Sequence, residues 1–232
     1  MRYLQLDFIR GVAIILMILF HLSFDLNNFH FIEIDIYNKE GLHWFYFRMV
    51  IVTLFLLNVG ISLALVHQDN IDYKKIFQRF ITLSIASTII TIASFITFPH
   101  SWIYFGILHF ITVASLLAIP FTPFKYLSLF MGIVIITLFN LHIIDMSFLY
   151  NLFQPLFNLP KYTEDLVPFT PWFGVVLVGI FLGKERSFLF PLPINRVTKQ
   201  ISFIGRHSLF IYLIHQPIFF GVIFGGDYLF HR

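Results

Sequence analysis

Seven apolar stretches constrain this chain more than anything else in it. They lie near residues 8–28, 43–66, 77–98, 102–119, 125–144, 168–183 and 203–225. A helix needs about 20 apolar residues to cross a hydrocarbon core, and all but the short sixth stretch come close to that length. Of the 232 residues, 58% are hydrophobic and only 12% are charged, well outside the range of soluble domains. In lipid every backbone polar group must be paired internally, so such segments become helices. The expected fold is all-α: a polytopic membrane helix bundle of about seven transmembrane helices. The segment near 145–167 contains FLYNLFQPLF and is expected to hold a short interfacial helix.

Lysine and arginine set the orientation, because they concentrate on the cytoplasmic side of short loops. Arg2, Arg10, Lys74, Lys75, Arg79, Lys125, Lys184, Arg186, Arg196, Lys199 and Arg206 fall at one set of ends; only Lys39, Arg48, Lys161 and Arg232 fall at the other. This predicts a cytoplasmic N-terminus, with the 29–42 and 145–167 loops outside. The first stretch follows Arg2 and Arg10 as a signal peptide would, but lacks a small-x-small cleavage site and is read as a retained helix. There is no cysteine, which excludes disulfides and thiolate chemistry. No basic tail or aromatic-basic platform suggests nucleic acid. No H-x-x-x-H or HExxH pair occurs on one helix, so no metal is expected.

The first stretch, LDFIRGVAIILMILFHLSFDL, carries ionisable groups that a membrane helix rarely tolerates without a purpose. Arg10 and His21 are eleven positions apart, roughly 16 Å along a helix and nearly on one face. Asp7 and Asp25 fall within about 40° of His21. Asp25, one turn beyond, suits an orienting carboxylate for a histidine base; a buried structural pair is the alternative. Arg10 is either a positive-inside anchor or a grip for a phosphate or carboxylate, with Asp7 orienting it from one turn earlier. Arg48 stands on the outer side, where the charge rule gives no reason for an arginine. Asn58 is either interhelical glue or a channel-lining group, and Gly60 and Ala64 read as a small-residue packing face. His109 in FGILHFI should reach the depth of His21. Arg206 lies at the cytoplasmic edge of the last stretch. His215 lies deeper, followed by Gln216 and by Pro217, which frees the Leu213 carbonyl. A polar pocket at that kink competes with an ordinary satisfied kink.

The spacing in LDFIRGVAIILMILFH resembles the signature of the acyltransferase-3 type of membrane acyltransferase. The fuller set, RGVAIILMILFHLSFDL, LFLLNVGISLAL, FGILHFI, PFTPWFGVVLVGIFLG and GRHSLFIYLIHQPI, is similar to the bacterial relatives of the heparan-α-glucosaminide N-acetyltransferase catalytic domain. The resemblance covers nearly the whole chain. It implies transfer of an acyl group from cytoplasmic acetyl-CoA to an acceptor at the outer face. It also implies that Arg10 serves the acyl donor and that His21 is the catalytic histidine. Characterised members are usually larger, and their acetyl-handling histidine on the outer side has no motif match here at His30 or His43.

The combined expectation is a single integral-membrane acyltransferase-like domain over residues 1–232, in the bacterial cytoplasmic (inner) membrane. His21, Asp25, His109 and Arg48 are the catalytic candidates. Arg10, Asp7, Arg206, Asn58 and His215 are the donor-binding candidates. The acceptor is a hydroxyl or amine on a glycan or lipid-linked sugar, and self-association is left open. A small proton-coupled transporter and a non-catalytic membrane subunit are the rival readings, because histidines and carboxylates in membranes also build proton relays.

Overall fold

A computed structural model describes residues 3–33, 42–68, 70–144 and 147–230. Arg2, Lys39 and Arg232, three of the charges used for orientation, lie outside the described residues. Among those described, the chain is helical with no strand. The helices are α1 Leu4–Asn28, α2 Leu42–Val66, α3 Tyr73–Thr97, α4 Ile107–Leu117, α5 Lys125–Asn140, α6 Ser147–Phe157, α7 Phe169–Glu185, α8 Arg196–Arg206 and α9 Ser208–Phe230. A 3-10 turn, Ile119–Phe121, links α4 to α5.

Three of these helices, α1, α2 and α3, are long and apolar enough to cross a membrane; α4, α5 and Ser208–Ile223 of α9 are apolar but shorter. Two expected spans differ from their helices for local reasons. The stretch near 102–119 is helical only over Ile107–Leu117. Residues 101–105 are instead strapped to 163–167. Glu164 N–H donates to the Ser101 carbonyl at 3.0 Å and Val167 N–H to the Phe105 carbonyl at 3.2 Å. Thr163 Oγ1 donates to the Trp102 carbonyl at 2.9 Å. The Asp165 carboxylate then accepts the Ile107 N–H at 3.0 Å, satisfying one of the orphan donors at the start of α4. The last stretch breaks at His207, where φ −103 and ψ 18 end α8. What precedes it is a separate amphipathic helix, begun by Asn195 accepting the Thr198 N–H at 2.9 Å. The short helix expected in 145–167 is present as α6, with Pro155 inside it.

The chain divides into two compact units, Met1–Phe55 with Leu189–Arg232, and Leu56–Phe188. In the first, α8 lies against α1 with almost no side chain between them. A Cβ at Gly11 would strike the Ile201 carbonyl, and one at Gly205 the Asp7 carbonyl. Lipid tails give helices no hydrophobic reason to associate, so close backbone approach through small residues carries the packing. Thr198, Ser202 and Gly205 form the buried face of α8, while Val197 and Phe203 are exposed. Ile14, Met17 and Ile51 form a core that Phe47, Ile211 and Tyr212 cover.

The second unit uses the same device twice. Cβ atoms at Gly60, Gly179 and Gly183 would strike Val176, Leu57 and the Ile61–Ala64 turn respectively, so the Gly60–Ala64 face of α2 is the one that α7 approaches. Gly132 of α5 and Gly174 of α7 meet each other reciprocally. Lys125 and Glu185 pair at the end of that contact.

Candidate active site

The first unit gathers the charged stripe of α1 into two clusters. At its start Asp7, buried to 2% exposure, holds two arginines. Arg10 Nη1 is 3.8 Å from Asp7 Oδ1, one turn along the same helix. Arg206 Nε donates to Asp7 Oδ2 at 3.3 Å from the end of α8. Gly205 permits this, because its missing side chain lets α8 reach the Asp7 backbone. Two guanidinium groups share one carboxylate, so the cluster keeps a net positive charge. Both arginines remain partly accessible, at 31% and 46% of side-chain surface. Guanidinium forks held this way suit a phosphate.

The second cluster lies eleven residues on, roughly 16 Å along α1. The Gln216 side-chain amide of α9 donates to His21 Nδ1 at 3.1 Å. The His21 and His215 rings are 5.0 Å apart by centroid. His215 in turn places Nδ1 2.6 Å from the Tyr212 carbonyl. A carbonyl can only accept, so the proton is on Nδ1, and Nε2 of neutral His215 is an acceptor. That Nε2 is buried and has no hydrogen-bond partner among the described residues. Phe20 meets the His21 ring edge-on at 5.5 Å. Arg48 of α2 is close enough to His21 to interact with it electrostatically. Asp25 is buried at 4% exposure, one turn beyond His21. His21 itself is half-buried, and its Nε2 makes no hydrogen bond to protein among the described residues. Beside it, Gln216 Oε1, like His215 Nε2, is buried with no hydrogen-bond partner among the described residues.

The other two candidates belong to the second unit. Asn58 is buried there in α2 at 2% exposure. His109 is engaged on both nitrogens. Thr91 Oγ1 donates to the Ile103 carbonyl at 2.9 Å, so its oxygen accepts His109 Nε2–H at 2.9 Å. The Gly106 N–H donates to His109 Nδ1 at 3.3 Å. This fixes one neutral tautomer and ties His109 to the start of α4. The expectation of a second site histidine at His109 meets a ring whose two nitrogens already have structural work. Gln216, which the sequence places only beside a proline kink, is in the structure the partner of His21. Among the described residues no three His, Cys, Asp or Glu side chains come together to hold a metal.

The sequence model of the heparan-alpha-glucosaminide N-acetyltransferase catalytic family matches residues 2–217. The chain belongs to that family. No curated protein and no solved structure matches it. Membership makes this a membrane protein of an acetyltransferase family, in keeping with its long apolar helices. The matched range ends at Pro217, directly after Gln216, and so contains every residue of both clusters in this acetyltransferase-family chain.

Proposed function

We propose that the chain is an acyltransferase that moves an acetyl group from cytoplasmic acetyl-CoA to a hydroxyl or amine of a glycan or lipid-linked sugar at the outer face. The observation that carries this is the layout of α1: a positively charged two-arginine cluster at one end, and a histidine with one unoccupied nitrogen roughly 16 Å further along. Arg10 and Arg206, oriented by Asp7, grip the phosphates of the donor. The thioester reaches toward His21. The acceptor oxygen or nitrogen attacks the thioester carbonyl while His21 Nε2 takes its proton. The C–S bond then breaks and the proton passes to the departing sulfur, leaving the acetyl on the acceptor and free CoA.

With the Gln216 amide N–H on Nδ1, the neutral His21 ring carries its proton on Nε2 and is not a base there. With the amide turned end for end, its oxygen accepts Nδ1–H, and Nε2 presents the lone pair that takes the acceptor's proton and, from the imidazolium, returns it to sulfur. Asp25 stabilises the imidazolium in between. Arg48 supplies positive charge to the carbonyl oxygen as it becomes negative. His215 is placed as an acceptor beside His21. His109 and Asn58 are assigned no part in the chemistry.

The chain works as one domain over its full length, and it is related to the acyltransferase-3 superfamily. Its seven apolar stretches lie within a bacterial inner membrane, and its N-terminus is cytoplasmic. The cysteine-free sequence allows a clean topology test. A cysteine at position 162 should react with an impermeant maleimide from outside, and one at position 70 should not; the reverse pattern contradicts the orientation. The test of function is incubation of purified protein with labelled acetyl-CoA, tracking the label into protein, free acetate and lipid or glycan extracts. Label in an acceptor extract supports direct transfer, and label on the protein supports an acetyl-histidine route instead. Label remaining wholly on CoA with every extract tried removes the acyltransferase reading and favours the transporter.

A further inference from the structure

The second unit contains a cavity of about 240 Å³ between the ends of α2, α3 and α4. No residue of the two clusters on α1 lines it. Its polar lining comprises Ser62, His67, Lys75, Arg79, Thr112 and Ser115, of which the Thr112 hydroxyl already donates to the Leu108 carbonyl at 2.7 Å. Leu63, Phe80, Leu83 and Leu116 are among its apolar lining residues.

The structure defines the setting of Ser115, His67 and Lys75. Ser115 is 6% exposed, and its Oγ is buried with no hydrogen-bond partner among the described residues. An unmade buried hydrogen bond is costly, so such a hydroxyl marks a place where a partner belongs. His67 follows α2 directly, and its Nδ1 accepts the Asp72 N–H at 3.2 Å. In the neutral ring this leaves Nε2–H as a donor. Burial holds this imidazole below its ordinary pKa, so it is neutral near pH 7 and the donor is retained. Lys75 Nζ sits 2.9 Å from Asp72, whose carboxylate also accepts the Lys75 N–H at 3.1 Å to begin α3. Lys75 is thus paired with Asp72 and has its remaining N–H donors to offer a phosphate; no carboxylate is among the cavity's lining residues.

We infer that this cavity binds the phosphate headgroup of an anionic phospholipid, with His67, Lys75, Arg79 and Ser115 donating to the phosphate. The lipid tails have a path out of it. Phe80 and Leu116 of the lining are themselves exposed, and α3 continues an apolar exposed face through Ile85, Ile89, Ile92 and Ile96. A cationic end joined to a lipid-facing apolar face fits an amphiphile better than a wholly polar anion. Size argues the same way. Pockets for drug-sized ligands are about 300–1,000 Å³, so this one takes a headgroup and is too small for a whole CoA.

Binding to the purified full-length chain in neutral detergent tests this, with dioctanoyl phosphatidylglycerol as the probe. Dioctanoyl phosphatidylcholine, inorganic phosphate and CoA serve as the comparison arms. Phosphatidylglycerol should bind saturably and at least about tenfold more tightly than phosphatidylcholine or phosphate. Lys75→Gln combined with Arg79→Gln should weaken it by about tenfold or more, and Lys75→Arg with Arg79→Lys should largely restore it. Ser115→Ala should weaken it about threefold to tenfold, the value of one hydrogen bond. CoA should not displace the lipid. Equal binding of the two lipids overturns the assignment, as does indifference to the double substitution. Phosphate binding as tightly as the lipid removes the amphiphile, and displacement by CoA at lower concentration reassigns the cavity to the donor.

Discussion

His21 and His109 are both histidines set in apolar helices, and their surroundings differ in one decisive respect. His109 spends both nitrogens on its own unit, one on Thr91 and one on the Gly106 backbone. His21 spends one, on Gln216, and keeps Nε2 available. A histidine that must move a proton needs a nitrogen the fold does not use, and a second group to set the tautomer on the other. On that criterion the proposed chemistry is given to His21. His109 holds the start of α4 in place.

The sharpest way to break this comparison is to remove each ring in turn. His21→Ala should lower acetyl transfer by about a hundredfold to ten-thousandfold, the range for loss of a general base, while binding CoA as the wild type does. Arg10→Ala should act on the donor. CoA affinity measured by calorimetry should fall about tenfold to a hundredfold, the value of a charge-assisted contact. Arg10→Lys should recover only part, because the planar fork is lost. Unchanged CoA affinity in Arg10→Ala would remove the phosphate role.

Gln216→Leu sharpens the comparison further, since it should make His21 lose its tautomer control without losing its ring. Turnover should drop about fivefold to tenfold, as expected for one hydrogen bond, with little change in KM for acetyl-CoA. Gln216→Asn, too short to reach, should resemble Leu if position matters and the wild type if polarity alone does. The smallest expected effect on catalysis belongs to His109→Ala. It should cost about 1–3 kcal/mol of stability through the unpaired Thr91 and Gly106 groups, read as a lower melting temperature in detergent. The protein that remains folded should turn over within about twofold of the wild type.

Much of the first unit was legible along the sequence because its logic is local. The Arg10–His21 spacing and the Asp7–Arg10 turn both follow from a single unbroken helix, which α1 is. The Gly60–Ala64 face was equally readable, since small residues four apart on one helix have few other uses in lipid. What escaped was set by distant chain. Arg206 reaches Asp7 across 199 positions, and Gln216 reaches His21 across 195; no periodicity encodes either. The separation of α8 from α9 was hidden because apolar Phe203 and Ile204 run directly into the last span, masking the turn at His207. The shortened α4 depended on a strap from residues 163–167, whose polar groups read in sequence as an ordinary loop.

The most direct test of the His21 assignment is a paired turnover experiment. Purified His21→Ala and His109→Ala proteins, matched for folded fraction and for CoA affinity, are given excess labelled acetyl-CoA and an acceptor extract that supports the wild type. His109→Ala should transfer acetyl at close to the wild-type rate, and His21→Ala at the background rate. Near wild-type transfer by His21→Ala, or loss of transfer in well-folded His109→Ala, would contradict the assignment of the chemistry to the first unit.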